Sequence, residues 1–360
     1  MQERITLKDV AKALGVSIGT VERAMHGKSD INADTRQRVL EKIEEMKYLP
    51  NRHARSLSLK SRKNITVLMP YNAPFWHQMR AGIECAGREL SFCGVSVNCV
   101  CLNRMDGNLV LSHVKEAVGR KTDGFLLVPE GLGPVAGKIR GIIGDGIPLG
   151  MLNDDEEAFG RQFYVGPDNL LIGRLAGELV GKFSAGRGKC MAITAMHAKS
   201  GALSPECRLR LTGFQEVLCQ AYPDIELDVA TYEMYSEDAY NVTLGKLAVD
   251  GGMQSVYSVD GFLQETAMAV KDSGRRGLVL VGHEMSEDVN RLLQEGTISA
   301  AICQNPYLQG YHALKCMADY LLDRKKPPHE KMFIDFHLYT RYNTYGKDNY
   351  LGAVKPVGQA

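Results

Sequence analysis

Residues 5–27 read ITLKDVAKALGVSIGTVERAMHG, and two helical repeats are written into that run. Leu7, Val10, Ala11 and Leu14 recur at i, i+3, i+4 and i+7, which lines one face of an α-helix. Thr6 stands at the N-cap position and Gly15 where the helix must stop. A second helix opens behind Ser17, carries Ile18, Val21, Ala24 and Met25 as its apolar positions, and ends at Gly27. Two short helices joined by a tight glycine turn predict a helix-turn-helix. In that motif the second helix lies in the major groove of DNA with its N-terminal residues at base edges. A third helix starts at Asn32 or Asp34, turns Val39, Leu40, Ile43 and Met46 inward, and closes at Lys47, Tyr48, Leu49 and Pro50.

The charge distribution agrees. The chain has 360 residues and a net charge of +1, but residues 1–63 hold 14 Lys plus Arg against 8 Asp plus Glu. One end is therefore basic and the remainder acidic, which suits phosphate neutralisation by the N-terminal segment. Length and apolar content fit two to three folded domains. No run approaches the roughly 20 apolar residues of a membrane span, and no signal-peptide pattern opens the chain, so a cytoplasmic protein with no membrane partner is expected. The nine cysteines are scattered, and Cys99 and Cys101 have neither zinc nor redox spacing, so reduced, structural thiols are expected.

The opening run, continued by TRQRVLEKIEEMKYLPNRHARSL at residues 35–57, resembles the LacI family of bacterial transcription regulators across nearly the whole DNA-binding headpiece. The order of helix, Gly-Val-Ser turn, Thr-Val-x-Arg helix and Tyr-x-Pro-Asn hinge carries the resemblance. It implies that Ile18, Gly19 and Arg23 face bases while Ser17 and Thr20 meet phosphates, with Thr6 also on the DNA side. Arg23 has the chemistry for a bidentate guanine contact, and Ile18 that for a thymine methyl, core packing being the competing reading for Ile18. The family pattern has Ser where this chain has Glu22. Either Glu22 accepts from a cytosine amine, or it pairs with a neighbouring cation and weakens binding. Asn51, Arg52, Ala54, Arg55 and Leu57 form a segment too short to be a stable helix alone, expected to fold on DNA. By the resemblance, Leu57 wedges between base steps in the minor groove. The alternative is packing on the headpiece.

Beyond Asn64 short apolar strand patterns alternate with amphipathic helices, which predicts an α/β fold of doubly wound parallel sheets. Two lobes are more economical than one very wide sheet. The resemblance extends here, since the family's core is similar to periplasmic sugar-binding proteins. The expected divisions are a headpiece at 1–50, a hinge and linker at 51–63, one lobe at 64–163 plus 305–334, and the other at 164–304 plus 335–360.

Ligands of open α/β sheets bind beyond the carboxyl ends of the strands, so residues following each strand are the candidates. These are Asn72, Phe75, Trp76, Asn153, Asp154, Asp260, Glu284 and Gln304, with Arg208 at the start of a helix in the second lobe. Aromatic surface with convergent donors and acceptors suits a sugar or cyclitol. Trp76 and Phe75 also fit a core role. Asn153-Asp154 departs from the Asp-Arg frequent in the relatives, and Glu284 replaces their Asp. An Asp in place of Arg disfavours anionic ligands and favours hydroxyls or an amine, so the effector is expected not to be phosphorylated.

No GxSxG, GxxxxGK[ST] or HExxH motif is present, and GLGPVAG near Gly131 fails the dinucleotide spacing, so no catalytic residue, metal or cofactor is expected. The resulting expectation is a repressor-type regulator, working as a homodimer on palindromic operator DNA under control of a small polar effector. A cytoplasmic solute-binding protein and an α/β enzyme acting on a small polyol are the alternatives.

Overall fold

The computed structural model describes residues 5–25, 31–46, 62–196, 201–233 and 238–344. The chain divides into an N-terminal unit reaching Arg62 and a unit holding nearly everything from Lys63 onward.

The N-terminal unit has three described helices, α1 (Leu7–Leu14), α2 (Ile18–Met25) and α3 (Ala33–Glu45). Thr6 and Asp9 cap α1 reciprocally. The Thr6 N–H donates to the Asp9 carboxylate at 2.8 Å, and the Asp9 N–H reaches Thr6 Oγ1 at 3.4 Å. The Thr6 hydroxyl, donating to the same carboxylate at 2.6 Å, and the Thr6 N–H hold the Asp9 carboxyl below the usual carboxylate range. Gly15 ends α1 at φ 66°, a left-handed conformation that costs a side-chain-bearing residue about 1 kcal/mol. Val10, Ala11, Val21, Ala24 and Val39 are the buried centre, with Leu7, Leu14, Met25, Ile43 and Met46 packed around it. Leu40 does not face inward as expected: it is 39% exposed. Val39 and Ile43 are one turn apart on the buried face, whereas Leu40 lies about 100° around the helix from Val39.

In the larger unit, the first lobe alternates β1 (Lys63–Pro70), α4 (Pro74–Ser91), β2 (Val95–Leu102), α5 (Gly107–Gly119), β3 (Gly124–Leu127), α6 (Ala136–Ile143), β4 (Leu149–Leu152) and β5 (Phe163–Gly166). The second begins with α7 (Asn169–Phe183), β6 (Arg187–Met196), α8 (Pro205–Ala221), β7 (Asp224–Glu233) and α9 (Asp238–Val249). It continues through β8 (Met253–Ser258), α10 (Leu263–Asp272), β9 (Val279–His283), α11 (Glu287–Glu295) and β10 (Ala300–Cys303). The chain then returns to the first lobe for α12 (Pro306–Asp323) and β11 (Lys331–Phe333), and leaves it again for β12 (His337–Tyr339).

The two sheets have the same order, β2-β1-β3-β4-β5-β11 and β7-β6-β8-β9-β10-β12. All pairings are parallel except β12 on β10, an antiparallel edge. Apolar strands buried on both faces produce this layering, since helices must cover each side. The chain crosses between lobes three times, after β5, after β10 and after β11. The first crossing follows Gly166, within the Tyr164–Asn169 run that joins a strand-like end to a new helix and three residues beyond the lobe boundary of 163 that the resemblance implied, because Phe163–Gly166 pairs in register with β4 and β11. Tyr164, 2% exposed, fixes this corner, with its hydroxyl 2.8 Å from the Asn153 carbonyl oxygen and 2.9 Å from that of Pro167.

Two helix pairs sit unusually close. A Cβ on Gly82 of α4 would collide with the Tyr307 carbonyl of α12, and one on Gly173 of α7 with the Arg210 carbonyl of α8. The second contact sets the depth at which Arg210 is held.

Candidate functional sites: the recognition helix and the interlobe cleft

Of the residues at α2 expected to meet DNA, Ser17, Ile18 and Glu22 are exposed and Gly19, Thr20 and Arg23 half-buried. Ser17 Oγ accepts from the Thr20 N–H at 3.1 Å and lies 2.8 Å from Thr20 Oγ1. Arg23 Nη2 reaches the same Thr20 hydroxyl at 3.4 Å. Ile18 is 45% exposed, so it does not pack in the core. A Cβ on Gly19 would meet only Ser17 Oγ at 3.8 Å, so the backbone there is open to close approach. Glu22 is exposed and forms no hydrogen bond or ion pair with another described residue, so it has no cation partner among them. Asn51, Arg52, Ala54, Arg55 and Leu57 lie outside the described residues.

In the larger unit the strand ends deliver their polar residues to the gap between the lobes. From the first lobe come Asn72, exposed just past β1, and Asn153 and Asp154, 7% and 4% exposed, just past β4. Phe75 and Trp76 open α4 edge to face, centroids 4.7 Å apart, half-buried against the first lobe's core. They are thus both core-packed and partly accessible. From the second lobe come Asp260 past β8, Glu284 past β9 and Gln304 past β10. Asn153 and Glu284 adopt left-handed φ values of 68° and 71°, sparsely populated backbone at both sides of the gap.

The arginine of this site is Arg210, not Arg208. Arg208 is exposed, whereas Arg210 is 3% exposed. Two positions along a helix turn a side chain by about 200°, so only one of the pair faces inward. The Arg210 guanidinium donates to Asn169 Oδ1 at 2.8 Å, the Val259 carbonyl at 3.0 Å and Gln304 Oε1 at 2.8 Å. Gln304 donates from its other end to Glu284 Oε1. One chain of hydrogen bonds therefore links α7, α8 and the ends of β8, β9 and β10. Gln309, buried in α12, donates to the Gln304 carbonyl at 3.0 Å and ties that network to the second crossing.

Carboxylates outnumber this cation. Burial pushes the Asp154 carboxyl well above its ordinary range, and Glu206 and Glu130 beside it push further. Burial also raises Glu284, to about 7. Asp260 is raised by burial despite accepting from Tyr232 Oη at 2.6 Å, the Ala195 N–H at 2.7 Å and the Phe262 N–H at 3.1 Å. Much of its hydrogen-bonding capacity is thus taken up within its own lobe. Burial holds the His283 imidazole neutral, its Nε2 2.8 Å from Tyr257 Oη. Among the described residues no group of three or more His, Cys, Asp or Glu is arranged for a metal ion, and no helix is long and apolar enough to cross a membrane.

Arg210, Asn169, Glu206 and Glu130 were not among the residues the sequence pointed to. The RLR repeat at residues 208–210 offered two arginines, and the register of α8 relative to Gly173 chooses between them.

Comparison with known proteins matches this two-part design. The profile "Bacterial regulatory proteins, lacI family" covers residues 6–51, and "Periplasmic binding protein domain" covers residues 65–326. The HTH-type transcriptional regulator DegA of Bacillus subtilis is 24% identical over 84% of this chain and 85% of its own length. The HTH-type transcriptional repressor PurR of Haemophilus influenzae is 31% identical over 34% of this chain and 36% of its own. Among solved structures, a putative LacI transcriptional regulator from Bacteroides fragilis superposes with a TM-score of 0.70 at 18% identity, covering 79% of this chain and 98% of that one. GanP, a glucose-galactose binding protein from Geobacillus stearothermophilus, superposes with a TM-score of 0.68 at 22% identity, over 79% of this chain and 99% of its own. A lacI-type headpiece followed in one chain by a periplasmic-binding-protein fold places this protein in the LacI family of bacterial, DNA-binding transcriptional regulators.

Proposed function

We propose that this regulator is a cytoplasmic homodimer that represses transcription from a palindromic operator, and that a sugar or cyclitol bound between its lobes sets its operator affinity. The hydrogen-bonded chain through Arg210, Gln304 and Gln309 carries the effector reading, because it couples the cleft wall to a segment where the chain passes from lobe to lobe. A ligand that bridges Asn72, Asn153 and Asp154 to Glu284 and Gln304 binds best in one lobe arrangement, and so shifts the population toward it. The aromatic pair Phe75 and Trp76 supplies an apolar face for a ring. The sugar named for the Geobacillus stearothermophilus protein supports the same ligand class.

A palindromic site requires two headpieces, which a two-fold dimer supplies. In this mechanism Ser17 and Thr20 fix the recognition helix on phosphates, while Ile18, Gly19 and Arg23 read bases. Asn51 to Leu57 engage the minor groove only when the lobe arrangement permits. Cleft and operator are then coupled by about 1–3 kcal/mol in both directions.

Fluorescence anisotropy of a labelled operator fragment, titrated with neutral and charged sugars and cyclitols, tests this reading. At least one compound should change operator affinity about ten-fold or more, and operator DNA should change that compound's affinity by the same factor. The reading fails if saturating binders leave operator affinity unchanged.

A further inference from the structure

Asp154 and Glu206 come from opposite lobes, one past the end of β4 and the other in the first turn of α8, yet their carboxyl groups lie within hydrogen-bonding reach of each other. Glu130 acts on Asp154 from further off, its charge disfavouring a second one there. Burial and the facing Glu206 carboxyl both disfavour a charge on Asp154 unless something positive lies between the two. Among the described residues, the neighbouring cations are engaged elsewhere. Arg161 and Lys331 pair with Asp155, Lys331 at 2.8 Å, and Arg210 gives its hydrogen bonds to three neutral acceptors.

Two acceptors at this spot are buried and receive no hydrogen bond: Glu206 Oε2, and Oδ1 of Asn153, whose side-chain Nδ2 lies 3.1 Å from Asp154 Oδ1. Asn153 is 7% exposed, so water does not satisfy it freely. Buried polar atoms left in this way cost free energy until a donor arrives. The missing partner must therefore supply several donors, no acceptor and a positive charge. An ammonium group does all three, whereas a hydroxyl brings one donor and no charge.

We propose that the effector carries a protonated amine on a polyhydroxylated ring, an amino sugar or aminocyclitol, and that Asp154, Glu206 and Asn153 Oδ1 hold its ammonium group. The inference rests on the effector reading above and narrows it. The amine seats between the lobes, so its charge draws Asp154 of one lobe and Glu206 of the other onto a common partner and rewards closure. Asn72, Glu284 and Gln304 then face the hydroxyls.

The test uses the full chain and matched ligand pairs: glucosamine with glucose, galactosamine with galactose, and an inosamine with inositol, plus N-acetylglucosamine as an uncharged nitrogen control. Calorimetry at pH 7 should show at least one amine binding ten-fold or more tightly than its neutral partner. That preference should disappear in Asp154→Asn and in Glu206→Gln. Without ligand both variants should melt at least as high as the parent, since like-charge repulsion is removed, and this also shows that they fold. Neutral members binding as tightly as amines in every pair overturn the amine assignment and leave the sugar-effector reading standing. An amine preference that survives both substitutions overturns the assignment to these carboxylates. If no member of any pair binds, this inference fails, while the effector reading stands or falls on the operator titration.

Discussion

Ile18 on the recognition helix is 45% exposed while Arg210 in the cleft is 3% exposed, and the two regions differ throughout in this way. Among its described residues the headpiece keeps five side chains buried and leaves residues such as Ser17 and Ile18 exposed, held by short local bonds such as Ser17 to Thr20. In the cleft the polar groups are largely buried and bonded to one another across spans of up to 94 residues. A surface that reads a rigid, charged duplex needs little more than correct spacing along one helix. A pocket that discriminates a small molecule must remove it from water, so its own polar groups need partners from several strands.

The largest effect expected from this contrast is at Arg210. Arg210→Leu leaves Asn169, Gln304 and the Val259 carbonyl without their donor and should destabilise the core by about 3 kcal/mol. Arg208→Ala should stay within about 0.5 kcal/mol. Chemical denaturation of the two variants compares them directly, and equal losses would break the assignment of the buried arginine.

On the headpiece side, Arg23→Ala should cost about 1–3 kcal/mol of discrimination between operator and mutated operator while leaving the core's melting unchanged. A uniform loss on all sequences would instead place Arg23 on phosphate. Thr6→Ala removes one half of the α1 capping box and should cost about 1 kcal/mol, seen as faster amide exchange in α1 without change in the cleft.

The smallest effect concerns pH. Burial raises Glu284 from an ordinary carboxyl value to about 7, so the folded protein favours the protonated form. Its contribution to stability is complete below about pH 4.5 and is lost as pH rises through about 7. Glu284→Gln should therefore melt together with the parent at low pH and above it, by up to a few degrees (about 1–3 °C), at pH 8. A constant offset at every pH would mean that the substitution acts through packing instead.

The headpiece was legible because its information is local. The N-cap Thr6, the stop at Gly15 and the periodicity of Leu7, Val10, Ala11 and Leu14 all lie within ten residues of each other, and the structure has each where the spacing places it. Leu40 was misread for want of a rotational register: Val39 and Ile43, four residues apart, take the buried face of α3, and Leu40 falls beside it. The alternation of strands and helices likewise announced parallel sheets, although the lobe boundary expected at residue 163 cuts β5 after its first residue. Its four residues are apolar enough for either sheet, and only pairing with β4 and β11 decides.

The sequence by itself thus determined a helix-turn-helix at one end, an α/β core behind it, and most of the polar positions at the strand ends, because periodicity and strand polarity are written residue by residue. Only the tertiary structure decided which arginine turns inward, where the chain first crosses between lobes, and that Asp154 and Glu206 confront each other from opposite lobes. Those outcomes depend on how closely α7 and α8 approach at Gly173 and on which strands pair, and no short stretch of chain encodes either.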